Sequence, residues 1–112
     1  MKRNLLIVFV CLVVGYTVGT AQPRQFDVYG HGTGSCGNWT SGRQPAVTRA
    51  GEWNMSWVHG FISGAGYQSA GLRRTDTDGI MAWMDKYCTD NPLHPISRGA
   101  STLVEELREK TN

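Results

Sequence analysis

Cys36 and Cys88 constrain this chain more than any other feature, because they are the two cysteines left once the amino-terminal segment is set apart. That segment opens with Lys2 and Arg3, runs through the uncharged apolar stretch from Leu5 to Val18, and closes on small residues around Gly19 and Ala21. The layout is that of a secretory signal peptide over residues 1–21. A membrane anchor needs about 20 apolar residues, whereas this run dilutes into Gly15, Tyr16, Thr17, Gly19 and Thr20. Cys11 lies in the middle of the run, behind Phe9 and Val10, and reads as part of the signal rather than as a lipidation site. Export to a periplasmic or secreted location is oxidising, and there Cys36 and Cys88 are expected to pair. Closing a loop of about 53 residues stabilises a fold by about 4 kcal/mol in the chain-entropy picture. Neither cysteine has a second Cys or His at close ligand spacing, so no metal is expected.

Charge narrows the function classes. The 112 residues carry 11 Lys or Arg and 9 Asp or Glu, and the two surplus cations, Lys2 and Arg3, lie in the signal segment. The remainder is formally neutral, without a block of like charge, which argues against a nucleic-acid or anionic-membrane partner. No sequence feature calls for a cofactor.

Past the signal, glycines and two prolines crowd residues 22–47 with no apolar period, which predicts an irregular amino-terminal segment tied down through Cys36 and Trp39. Residues 48–112 read as a helical domain. Trp53, Trp57, Gly60, Phe61 and Gly64 recur at helical spacing, ending near Gly66 to Gly71. Thr75, Asp76, Thr77 and Asp78 supply capping side chains for a second helix whose one face holds Ile80, Trp83, Met84, Tyr87 and Cys88. Pro95 suits a first helical turn, and Ile96, Ala100, Leu103, Val104 and Leu107 define a third amphipathic helix with Glu105, Glu106, Arg108, Glu109 and Lys110 outside. The expected fold is all-α, a small domain of three to four helices stapled by one disulfide, burying its faces against each other or against a second copy. Trp53, Trp57 and Trp83 are expected in the core, with Trp39 packed on the disulfide. Gly60 and Gly64 each cost a helix about 1 kcal/mol relative to alanine, which predicts another backbone packed closely against them.

The most enzyme-like stretch runs from Tyr29 to Gly37, where His31 lies near Ser35 and Cys36. A hydrolase needs a base in reach of its nucleophile, an orienting group and an oxyanion site, and none is signalled. No catalytic residue is therefore expected, and a small hydrolase using His31 and Ser35 stands third among the readings. The glycines lack the ending of a phosphate loop. His31, His59 and His94 are isolated, and Asp76 and Asp78 before a helix fit caps better than an acid–base pair. Asn38-Trp39-Thr40 and Asn54-Met55-Ser56 match the glycosylation sequon.

Ser35-Cys36-x-x-Trp39, then Trp57-Val-His-Gly60-Phe-Ile-Ser-Gly64, then Trp83-Met-Asp-Lys-Tyr87-Cys88-Thr-Asp-Asn91-Pro92, then Ala100-x-x-Leu103-Val104 resemble the small exported helical proteins related to HdeA. The resemblance spans about residues 33 to 108. It implies a cysteine near the mature amino terminus paired with one ending a later helix. Members of that group are periplasmic acid-stress chaperones, folded dimers at neutral pH that open in acid and coat unfolding clients. The layout is also similar to the Rap1a/Tai-type exported immunity proteins, which block a delivered toxin. Tryptophan-rich helices and the Gly30 to Gly42 stretch are departures from both.

The expected function is that of a small exported non-enzymatic protein acting by protein binding, with an HdeA-like acid-stress chaperone ahead of an immunity or inhibitor protein. The expected partners are unfolded clients or one specific protein, with a homodimer among the assemblies. At about pH 2 the nine carboxylates are neutral by their reference values, and nine Lys or Arg with three His leave the mature chain strongly positive. Such self-repulsion opens small folds. The alternative is a folded surface, the Gly30 to Gly42 loop with Trp39, docking one partner at neutral pH.

Overall fold

A computed structural model describes residues 26–108. The signal-peptide reading, Cys11, Glu109 and Lys110 lie outside the described residues. A 3-10 turn, Gly30–Thr33, leads into four α-helices: α1 (Cys36–Arg43), α2 (Arg49–Gln68), α3 (Thr77–Asp90) and α4 (Ile96–Leu107). The all-α class follows the sequence expectation, and the Cys36–Cys88 disulfide joins the start of α1 to the end of α3. Among the described residues, no helix is long and apolar enough to cross a membrane.

α1 falls within the segment expected to be irregular, and it forms for reasons the glycine count hides. The Ser35 hydroxyl accepts a hydrogen bond from the Asn38 backbone N–H at 3.2 Å, a helix cap. One face then buries Cys36 and Trp39 completely, and that burial outweighs the helix cost of Gly37 and Gly42. Gly42 also has a positive task. A side chain on it or on Gly51 of α2 would overlap the other's backbone, so this pair sets how closely α1 and α2 cross.

Thr48 caps α2 by accepting from Gly51 N–H at 3.0 Å, and Asp76 caps α3 by accepting from Gly79 N–H at 2.7 Å. Pro95 sits at the cap position of α4, one residue before its first turn. α4 has the cleanest amphipathic pattern: Ile96, Gly99, Ala100, Leu103, Val104 and Leu107 are all buried, the i, i+3, i+4 recurrence of a core-facing stripe. These meet Val58 and Ile62 from α2 and Ile80, Met81, Met84 and Cys88 from α3.

Two packing expectations are corrected. Gly60 and Gly64 are exposed, and a Cβ on either would meet nothing within 4 Å. The close approaches in this fold belong instead to Gly42, Gly51, Gly32 and Gly99. The tryptophans divide differently as well. Trp39 is the fully buried one, Trp57 and Trp83 are partly buried against the core, and Trp53 is 52% exposed. Helical spacing places Trp53 beside Gly60, and both are exposed, whereas Trp57, one turn on from Trp53, packs against the core.

Candidate interaction surface

The disulfide is reinforced one turn away by a polar cluster. Asp85 on α3 receives three hydrogen bonds: Arg43 Nε at 2.8 Å and Nη2 at 2.6 Å, a bidentate fork, and the Trp39 indole N–H at 2.8 Å. The Arg43 guanidinium lies 6.0 Å from the Trp39 ring centroid, and its Nη1 approaches the Met55 sulfur at 3.6 Å. The bonds from Arg43 hold the Asp85 carboxyl below its ordinary range against the opposing effect of burial, with the Trp39 indole adding to the lowering. Asp85 in turn raises Arg43 above its ordinary value. Arg43 and Asp85 side chains are 19% and 37% exposed, so this is a partly buried ion pair. The sequence carried a signal for it: Cys36, Trp39 and Arg43 share one face of α1, and Asp85 and Cys88 share one face of α3.

An aromatic cluster forms where the amino-terminal arm crosses α2. The Trp57 indole N–H donates to the Tyr29 carbonyl at 2.8 Å, while the Trp57 and Phe61 rings stack with centroids 5.3 Å apart. Phe26 packs on Phe61 at 5.9 Å, and His31 tilts against Trp53 at 5.3 Å. Gly32 is buried beneath the Trp57 ring, and any side chain there would collide with it. Yet the outer parts stay open: Tyr29 is 77% exposed and Phe26 more than half. Trp39, expected to share a binding surface with the Gly30 to Gly42 loop, is completely buried and presents nothing to a partner. Phe26 and Tyr29 were not singled out from sequence, since isolated aromatics in an aperiodic stretch carry no pattern.

The remaining candidates go to separate tasks. His31 and Ser35 do not form a base–nucleophile pair, because the His31 ring rests on Trp53 and the Ser35 hydroxyl caps α1. His94 shares a 2.8 Å hydrogen bond with the Tyr87 hydroxyl, and Tyr87 stacks on Trp83 at 5.3 Å. The backbone around His94 clamps the start of α1: Cys36 N–H donates to the His94 carbonyl at 2.7 Å and Ile96 N–H to the Gly34 carbonyl at 2.8 Å. His59 Nε2 is buried without a hydrogen-bond partner. Of the two sequons, Asn38 is exposed, whereas Asn54 is 3% exposed and leaves no room for a glycan. An open groove of about 800 Å³ separates Phe26 to Val28 from the outer side of α4, but its Ser101 and Thr102 hydroxyls donate to carbonyls of their own helix.

No protein-family model, curated protein or solved structure matches the chain.

Proposed function

We propose that this chain is a small exported, disulfide-stapled domain that acts by binding protein through apolar surface displayed in its closed fold. The observation that carries the reading is the set of large apolar side chains left half or more exposed while the core is filled: Phe26, Tyr29, Trp53, Tyr67 and Leu93. Scattered single residues of this kind are ordinary on soluble proteins, but clustered ones mark interaction sites. Phe26, Tyr29 and Trp53 cluster around Trp57, Phe61 and His31. A specific protein partner at neutral pH, as for an immunity or inhibitor protein, fits a surface already displayed in the closed fold. The resemblance to exported immunity proteins points the same way.

The acid-stress chaperone is the second reading. It is supported by the strong positive charge the chain acquires in acid and by the Arg43–Asp85 pair, which loses its attraction when Asp85 is protonated. The two readings differ in when apolar surface becomes available. Hydrophobic-dye binding at pH 7 and pH 2, with an acid-aggregating client enzyme in parallel, separates them. Dye bound at pH 7 and weakened by Phe26→Ser and Tyr29→Ser supports the folded surface. Dye binding and client protection that emerge only in acid would transfer the function to the chaperone reading.

A further inference from the structure

The amino-terminal arm has two sides. One lies on α2, where Phe26 meets Phe61 and the Tyr29 carbonyl accepts from Trp57. The other borders the open groove of about 800 Å³ along α4. Tyr29 is extended, with φ −118° and ψ 149°, and the three residues before it belong to no helix. Among the described residues, no main-chain hydrogen bond reaches Phe26, Asp27 or Val28. An extended segment with unpaired N–H and C=O groups is an open strand edge, onto which a second extended chain can add.

The opposite wall of the groove is polarised. Arg98, Thr102 and Glu105 stand on one face of α4 at i, i+4 and i+7, and all three are exposed. Arg98 and Glu105 are about 10 Å apart along the axis. Among the described residues Arg98 makes no ion pair. Glu105 meets Arg108 at 3.3 Å in an exposed pair, which is a weak one, and Asp27 adds a second carboxylate from the arm. Between the ends, the Ser101 and Thr102 hydroxyls are committed to their own helix. The Gly34 carbonyl is bonded at the start of α4 and Leu72 bridges Arg108 at its end. With His31 on Trp53 and Phe26 on Phe61, the arm therefore runs against the direction of α2 and α4, and Phe26 lies toward Glu105.

We propose that this groove takes an extended segment of a partner protein, which pairs its main chain antiparallel with residues 26–28 and lays alternate side chains along α4. The inference rests on the protein-binding reading and names the chemistry of the partner. A helix cannot use the open edge, because its own N–H and C=O groups are consumed internally, and neither a nucleic acid nor a lipid surface offers a row of main-chain amides. A strand rises about 3.3 Å per residue, so side chains at i, i+2 and i+4 share one face over about 13 Å, enough to span Arg98 to Glu105. An acidic residue at i then meets Arg98, an uncharged one at i+2 covers Ser101 and Thr102, and a basic one at i+4 reaches Glu105 and Asp27. The acidic residue leads, because a chain antiparallel to the arm runs from Arg98 toward Glu105. Main-chain pairing supplies affinity, and the two opposite charges set register and partner choice.

The probe is a library of random-sequence peptides displayed on phage and selected on the oxidised protein without residues 1–21. The expected result is enrichment of peptides with an acidic residue four positions before a basic one. Fluorescence anisotropy of the synthetic peptide then shows binding that weakens by about tenfold or more when its alternate main-chain nitrogens are methylated, and again with Arg98→Glu. Arg98→Glu retains the fold, since Arg98 is exposed in the first turn of α4, where an acidic side chain suits the helix dipole. That variant instead accepts peptides with a basic residue in the leading position. No enrichment, or binding indifferent to either change, overturns the proposal. Binding that emerges only after residues 109–112 are removed assigns the groove to the chain's own carboxy terminus and overturns it as well. If the peptides fail while Tyr29-dependent dye binding persists, the protein-binding reading stands alone; if both are lost, both readings fall.

Discussion

Removing the Asp85 carboxylate is the most informative single perturbation of the fold. Asp85→Ala leaves the Arg43 guanidinium without its bidentate partner and the buried Trp39 indole N–H without an acceptor. Truncating one side of a fully buried pair costs about 3–5 kcal/mol, and an exposed pair is worth about 0–1 kcal/mol. With Asp85 37% exposed, solvent screening places the pair between those limits. The stranded indole adds about 1–3 kcal/mol, offset where water reaches the opened site, giving a net loss of about 2–3 kcal/mol. Urea unfolding checks it: with a slope of about 1 kcal/mol per molar, the midpoint falls by about 2–3 M at unchanged slope. A double-mutant cycle with Arg43→Ala isolates the pair. A loss below about 0.5 kcal/mol, the range of ordinary surface substitutions, would mean that the cluster does not hold α1 to α3. The pH dependence follows from the same geometry. Because folding lowers the Asp85 pKa, its contribution is fully present above the unfolded value of about 3.9 and is lost as pH falls through the folded value. Stability attributable to Asp85 is therefore flat from pH 7 to 5 and declines below about pH 4, and Asp85→Ala removes that decline.

Replacing Cys36 and Cys88 together by alanine lowers stability by about 4 kcal/mol in the chain-entropy picture, measured by urea unfolding of the oxidised and substituted proteins. Both cysteines are fully buried, so dithiothreitol reduces the native protein slowly and the urea-unfolded protein quickly, as thiol quantification reads out. Gly51→Ala and Gly60→Ala shift the melting temperature in opposite directions: the first collides with the Gly42 carbonyl, and the second gains about 0.5–1 kcal/mol of helix propensity. Trp39→Ala costs about 3–5 kcal/mol, whereas Trp53→Ala leaves stability within about 1 kcal/mol, both from denaturant midpoints.

The parts of the fold that follow simple periodicity were legible in the sequence. Ile96, Ala100, Leu103, Val104 and Leu107 recur at helical spacing and are buried as that spacing predicts. The cap at Asp76 and the Cys36–Cys88 pair are likewise where their residue types place them. α1 was hidden because glycine serves two physical roles. It lowers helix propensity, the reading available from composition, and it permits the α1–α2 crossing, which depends on a partner 9 residues away at Gly51. The same ambiguity reversed Gly60 and Gly64, where periodicity gives the shared face but not which side of the helix meets the core. Trp53 shows the limit for large apolar residues: α2 carries apolar side chains around more than half its circumference, and neighbouring helices cover only part of that arc. Phe26 and Tyr29 acquire their setting from a single hydrogen bond and one ring contact with α2, neither of which has a sequence period.

A folded binding protein and an acid-opened chaperone differ in whether the apolar surface that binds protein is already present in the closed fold. Hydrophobic-dye binding and hydrodynamic radius of the oxidised protein without residues 1–21, followed together from pH 7 to pH 2, decide between them. The expected outcome is dye bound at pH 7 by a compact species, reduced when Phe26 and Tyr29 are replaced by serine, with the radius unchanged above about pH 4. No dye at pH 7, with binding that rises only as the radius expands in acid, would contradict a surface built into the closed fold.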